Sequence, residues 1–130
     1  MRNKPLSKIE LENFGYLRDF FRSQIAIWLL ILSFIANLVN WVIIWAWIKP
    51  VDFPIILHYN VYFGVDLIGD YRQAYILPLI GIILLVVNLL LAIYFYAQKE
   101  RIASYILMIA ALMIQLGLIV GSTGVILINY

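Results

Sequence analysis

His58 is the single histidine of the chain, and Asn60, Asp66 and Asp70 follow it in the segment KPVDFPIILHYNVYFGVDLIGDYRQAYILP, from Lys49 to Pro78. An imidazole near two carboxylates and an amide could bind a cation or a polar ligand. A protein metal site, however, usually gathers three or four strong ligands, and this set offers too few. There is no cysteine, which excludes disulfides, thiolate metal sites and cysteine nucleophiles. No nucleophile stands at a telling distance from a base, and no glycine-rich loop is laid out to cradle phosphate. The expectation is a non-enzymatic chain without metal or cofactor. Two readings of the polar loop residues remain. They lock the loop backbone and one another into a cap over helix ends, or they present a surface to a peptide or other ligand.

A second polar set is spread through apolar surroundings. Asn37, Asn40, Asn88 and Gln115 lie inside stretches that contain no charged residue: Ile25 to Trp47, Tyr75 to Ala97, and Ile102 to Tyr130. Each stretch is as long as a bilayer-crossing helix, which needs about 20 apolar residues at about 1.5 Å of rise per residue. One Asp, Lys or Arg at a bilayer centre costs about 2.5–3.5 kcal/mol on insertion scales, so the absence of all of them from three windows points to hydrocarbon as the solvent. Of 130 residues, 65% are hydrophobic and 12% charged, about half the charged fraction usual in a soluble domain. A net charge of +2 without a long basic run gives no reason to expect nucleic acid as a partner. The lipid bilayer is the expected one.

The elements that must position these residues follow. The sequence divides into a cytoplasmic amphipathic segment (1–23), span one (25–47), an outer loop (48–74), span two (75–97), a cytoplasmic turn (98–101) and span three (102–128), all within one membrane domain. The first apolar window is too long for the core of a cleaved signal peptide, which runs to about 7–15 residues. It also ends in Trp41, Trp45 and Trp47, an interfacial aromatic belt. Arg2, Lys4, Lys8, Arg18 and Arg22 precede span one, and Lys99 and Arg101 separate spans two and three, whereas the long loop holds only Lys49 and Arg72 beside Asp52, Asp66 and Asp70. The positive-inside rule then places the N-terminus in the cytoplasm and the loop and C-terminus outside, in a plasma-membrane protein.

In the N-terminal segment, Ser7 and Glu10 have capping-box spacing. Leu6, Ile9, Phe14, Leu17, Phe20 and Phe21 fall near one helical face, with Gly15 a weak point of about 1 kcal/mol relative to Ala. The pattern predicts an amphipathic helix lying on the membrane surface.

Helices in lipid associate through small residues and interhelical hydrogen bonds. Span one carries Ser33, Ala36, Asn37 and Asn40 on one face. Span two carries Gly81, Asn88 and Ala92, and span three Ala103, Ala110, Gly117, Gly121 and Gly124, with a GxxxG pair at Gly117 and Gly121. These faces are expected to meet. Counted from the cytoplasmic ends at 1.5 Å per residue, Asn37, Asn88 and Gln115 sit roughly 18, 14 and 20 Å deep. A shared amide layer is therefore expected, across the bundle or across an oligomer interface. The layer either holds helices together or lines a pathway. The lack of an ionisable group at that depth weighs against a pathway, and three helices without internal repetition cannot alone form the inverted repeats of a transporter.

In the outer loop, Ile55 to Phe63 reads as a short strand or extended segment, with Leu57, Tyr59, Val61 and Phe63 on one side and Ile56, His58, Asn60 and Tyr62 on the other. Gly64 and Gly69 read as turns, Asp70 as an N-cap, and Pro78 as a residue of the first two turns of span two. The loop's aromatic residues predict that it rests on the outer membrane surface. The pattern Pro54, Leu57–His58, Asn60, Gly64, Asp66, Gly69 and Pro78–Leu79–Ile80–Gly81 resembles a bacterial membrane-protein domain of unknown function found in proteins related to the SdpI-type toxin-immunity family. The likeness covers Ile48 to Leu91. Where that domain often has proline before the aspartate, this chain has Val65, and the immunity proteins carry further spans. The resemblance implies a bacterial multi-pass protein with this loop topology, and it does not carry immunity over as a function.

The combined expectation is an all-α integral membrane protein of three transmembrane helices, preceded by an amphipathic interfacial helix and interrupted by one structured outer loop. Its expected role is that of a structural or accessory subunit in a homo- or hetero-oligomer. The alternatives are a sensor or immunity-like protein that binds an extracytoplasmic peptide or ligand through its loop, and an oligomeric channel lined by Asn37, Asn88 and Gln115.

Overall fold

The computed structural model describes residues 8–130, with side chains from residue 15 onward. Helix α1 spans Lys8–Arg22 and α2 spans Gln24–Trp47. A hairpin of β1 (Ile55–Asn60) and β2 (Gly64–Gly69) follows, then a 3-10 turn at Tyr71–Tyr75, α3 (Ile76–Ala97) and α4 (Arg101–Asn129). The expected capping box at Ser7, together with Arg2, Lys4 and Leu6, lies outside the described residues.

The three long helices fall on the three charge-free windows. At 24, 22 and 29 residues they extend about 33–44 Å at 1.5 Å per residue, and each is apolar enough to cross a membrane. Their outer surfaces are lined with exposed apolar side chains such as Trp28, Leu32, Ile83, Leu90, Met113 and Val120. Water would not tolerate such continuous apolar surface, whereas hydrocarbon requires it. The chain is therefore a small multi-pass membrane protein. Helix α4 is central and packs along both α2 and α3, which touch each other less.

Local sequence sets the helix ends. The Ser23 hydroxyl accepts from the Ala26 N–H at 3.5 Å and also bonds the Tyr105 hydroxyl at 3.0 Å, tying the start of α2 to α4. The Asp70 carboxylate accepts from the Arg72 N–H at 2.8 Å, so it caps the 3-10 turn that leads into span two. Pro78 is the third residue of α3, where its missing N–H has no intrahelical partner to lose. Helix α3 stops in a paired-bond turn: the Glu100 N–H reaches the Phe95 carbonyl (3.0 Å) and the Lys99 N–H reaches that of Tyr96 (3.1 Å). This motif needs a left-handed residue, and Lys99 supplies it with φ 66°.

The segment between α2 and α3 differs from the expected single extended run. Gly64 to Gly69 is a second strand, antiparallel to the first and in register from Ile55↔Gly69 to Asn60↔Gly64. Gly64, with φ +80°, closes the turn in a conformation that glycine adopts without steric penalty. Pairing shifts between Ile56 and His58 and again before Tyr59, and such a bulge breaks strict alternation. The observed burial runs buried at Ile55, partly buried at Ile56 and Leu57, and exposed at His58 and Tyr59. The expected two-sided pattern is thus replaced by an inward-facing start and an outward-facing end. The tip residues Val61, Tyr62 and Phe63 are 83–90% exposed.

Asn129, in the last turn of α4, clamps the hairpin to the bundle. Its Oδ1 accepts from the Ile56 N–H at 2.9 Å, and its Nδ2 donates to the Ile56 carbonyl at 2.6 Å and to the Val125 carbonyl at 2.8 Å. A side-chain amide thereby satisfies the backbone groups on one edge of β1. Beneath it, Ile44, Ile48, Ile55, Ala74, Val125 and Ile126 form one apolar cluster. Asn129→Ala should loosen β1 without melting the helices. Net hydrogen-bond contributions near 1 kcal/mol each predict that amide hydrogen exchange at Ile56 accelerates about tenfold or more, while exchange in α3 stays unchanged.

At the opposite end, Phe20 of α1 is fully buried in a cluster with Ala26, Ala92 and Met108, and its ring meets Tyr96 edge-on at 5.5 Å. Leu17 and Phe21, expected on the same face, are exposed. Among the described side chains, Phe20 anchors α1 to the bundle.

Candidate functional site

The buried polar centre joins all three long helices. Asn37 (α2) and Gln115 (α4) are 2% and 1% exposed. The Asn37 Nδ2 donates to the Gln115 Oε1 at 3.0 Å and to the Pro78 carbonyl of α3 at 3.0 Å. The Gln115 Nε2 donates to the Gly81 carbonyl at 2.8 Å. A carbonyl oxygen has two lone pairs, so α3 accepts these bonds in addition to its own helical ones. Gly81 makes the approach possible. A Cβ at that position would lie 2.6 Å from both Asn37 Nδ2 and Gln115 Oε1, well inside van der Waals contact.

Asn88 is not part of this centre. It is partly buried, and its Nδ2 donates to the Leu84 carbonyl of its own helix at 2.9 Å. Counting from the ends of α2 and α3, it lies roughly 6 Å nearer the α1 end of the bundle than Asn37, too far for two short amides to meet. Asn40 is fully buried beside the centre, and neither its Nδ2 nor its Oδ1 has a partner. Among the described residues, the Ser104 and Ser122 hydroxyls are likewise buried and find no partner.

The packing faces also need one correction. Ser33, Ala36, Asn37 and Asn40 of α2 all face inward, as does Gly81 of α3. In α4 the inward face is Ser104, Met108, Ala111, Gln115, Ser122, Val125 and Ile126. Gly117 and Gly121 are exposed, with nothing within 4 Å of a Cβ built on either. At about 100° per residue, Gln115 and Gly117 point about 200° apart, so the two cannot both face the bundle. The amide takes the inside.

In the hairpin, His58 Nδ1 and Asp66 Oδ1 lie 2.7 Å apart across the strands, with side chains 63% and 42% exposed. The Asn60 Oδ1 accepts from the Tyr62 N–H at 2.9 Å, shaping the turn. Asp70 is at the other end of the hairpin, occupied with its cap. Pro54 just precedes β1 and Gly69 ends β2. The residues singled out in the loop are therefore distributed along it, and His58, Asn60, Asp66 and Asp70 are each bonded to backbone or to a neighbour. Among the described residues, no group of three or more His, Asp or Glu is placed to hold a metal ion.

No family model, curated protein or solved structure matches this chain.

Three positions that matter were not apparent as such from the sequence. The Pro78 carbonyl is backbone and carries no residue-type signal. Gly81 read as one packing glycine among several. Asn129 lay inside the last charge-free window, Ile102 to Tyr130, and was not singled out.

Proposed function

We propose that this protein is a non-enzymatic accessory subunit of a membrane assembly, which docks on a neighbouring transmembrane helix through the outward face of α4. The carrying observation is the exposed pair Gly117 and Gly121, open to close approach because nothing of the bundle lies within 4 Å. Spacing of small residues four apart lets two helix backbones come together in lipid. The interior supports the same reading. Asn37 and Gln115 bond to one another and to backbone carbonyls of α3, which favours a fixed scaffold over a channel lining. In the hairpin, the polar groups bond its own backbone or one another, which puts ligand recognition second. The Lys and Arg distribution, five before α2 and two at the α3–α4 turn, orients the N-terminus to the cytoplasm and the hairpin and C-terminus outward in a plasma membrane. The loop's resemblance to a bacterial domain of that topology agrees with this orientation.

Cross-linking in native membranes tests the assignment. The wild-type protein should yield a defined dimer or hetero-complex. Gly117→Leu with Gly121→Leu should weaken it about tenfold, the equivalent of the 1–2 kcal/mol of a close helix contact. The unfolding temperature of the isolated bundle should stay constant, because both side chains enter open space. A protein that is monomeric at every expression level, or a complex indifferent to both leucines, would overturn the proposal.

A further inference from the structure

At the end of the bundle away from the hairpin, α1, the end of α3 and the start of α4 enclose a cavity of about 390 Å³ lined by Tyr16, Asp19, Tyr96, Lys99 and Arg101. Its charges are of both signs, and no two of them are in ion-pair contact. Among the described residues, the only ion pair is that of His58 with Asp66 in the hairpin. Asp19 therefore faces Lys99 and Arg101 across the cavity without bonding either. The Arg101 guanidinium is held 5.6 Å from the centroid of the Tyr96 ring, a cation–π contact that fixes its position. Lys99 occupies a left-handed position, φ 66°, where glycine would be favoured by about 1 kcal/mol. The start of α4 has no side-chain cap on its free N–H groups, and a helix N-terminus favours an anion.

The depth of the cavity in the membrane is set by its neighbours. Tyr94, Phe95, Tyr96 and Tyr105 cluster here with Phe20 and Phe21, the kind of aromatic belt that sits at headgroup level. Below it the helices are free of charge. Any ligand here shares its space with lipid headgroups.

We propose that this cavity binds a phosphoethanolamine headgroup of a membrane phospholipid. The phosphate takes the Arg101 guanidinium, whose planar fork suits it, together with the Lys99 ammonium and the start of α4. The primary ammonium of the headgroup donates to the Asp19 carboxylate. Tyr16 and Tyr96 wall the cavity with rings and offer hydroxyls. Opposite charges held apart around one space match a zwitterion. A singly anionic headgroup would leave Asp19 unpaired and facing it. The acyl chains then run down the exposed apolar sides of α3 and α4. This site is separate from the Gly117–Gly121 face and stands or falls independently of it.

The test uses the full chain in bilayers of equimolar phosphatidylethanolamine and phosphatidylglycerol, extracted into mild detergent, with retained lipid counted by native mass spectrometry. Wild-type protein should retain one phosphatidylethanolamine in about threefold or greater preference, the scale of one partly solvated charge pair. Asp19→Asn should bring the two lipids to parity. Lys99→Gln with Arg101→Gln should lower retention of both. Free phosphoethanolamine should displace the lipid, while inorganic phosphate at the same concentration should not. Equal retention by the wild type, a preference unmoved by Asp19→Asn, or displacement by inorganic phosphate alone would overturn the assignment.

Discussion

Gly81→Ala should destabilise the bundle by about 2–4 kcal/mol, the largest effect expected of any single methyl in this chain. The new Cβ would need the space 2.6 Å from Asn37 Nδ2 and from Gln115 Oε1, with Leu118 Cδ1 at 3.0 Å behind them. Overpacking of a tight interior costs about 1–3 kcal/mol. If the amides withdraw to make room, their bonds are lost, each about 0.6–2 kcal/mol in membrane proteins. Relaxation of α3 away from α4 would relieve the clash but would open the largest interface in the bundle. Thermal unfolding in detergent, or steric trapping in lipid, measures the difference. Gly117→Ala is the matched control, because its methyl meets nothing within 4 Å and should leave the stability of the isolated chain within about 0.5 kcal/mol. Equal losses at the two glycines would contradict the described centre.

Gln115→Leu should cost about 1–3 kcal/mol. Leucine has nearly the volume of glutamine, so packing is retained and the loss isolates the polar bonds. It leaves Asn37 with the Pro78 carbonyl alone, and it removes the second bond of the Gly81 carbonyl. A buried group deprived of its partner carries the desolvation penalty of about 1–3 kcal/mol. Asn37→Leu should give a similar loss. The double variant should be less destabilised than the two losses added, by a coupling of about 0.6–1.7 kcal/mol, because the two amides share a bond. Asn88→Leu should be nearly neutral, since its amide bonds only the Leu84 carbonyl of its own helix. A loss at Asn88 as large as that at Gln115, or strict additivity of Asn37 and Gln115, would refute the assignment of the centre.

The two centres of the molecule were legible to different extents. That Asn37 and Gln115 would meet followed from depth, because rise per residue is nearly constant in a helix and both spans could be counted from a charged end. Asn88 was placed with them by the same arithmetic, but a height difference of one turn decides whether short amides touch. The inward face of α2 was readable because all of its small and polar residues lie on one side. Helix α4 carries two such stripes, one with Gln115 and Ser122 and one with Gly117 and Gly121, and periodicity alone cannot rank them. In the loop, the strand rich in β-branched and aromatic residues could be read, while β2, GVDLIG, was masked by its two glycines. Its strand character comes from pairing with β1 and not from its own propensity.

What the amino-acid sequence determined by itself is the number of helices long and apolar enough to cross a membrane. Excluding charge from three windows is a one-dimensional property, and each helix satisfies its backbone bonds internally, without a neighbour. What the tertiary structure decided is which polar groups are joined, Asn37 to Gln115 and α3 and Asn129 to β1, and which lie apart around one cavity, Asp19 with Lys99 and Arg101. Those outcomes depend on helix rotation and on relative height within a few ångströms. In a bilayer, apolar side chains gain almost as much from lipid as from one another, so hydrophobicity does not fix the rotation. It is fixed by the few amides and glycines that can form bonds or permit close approach.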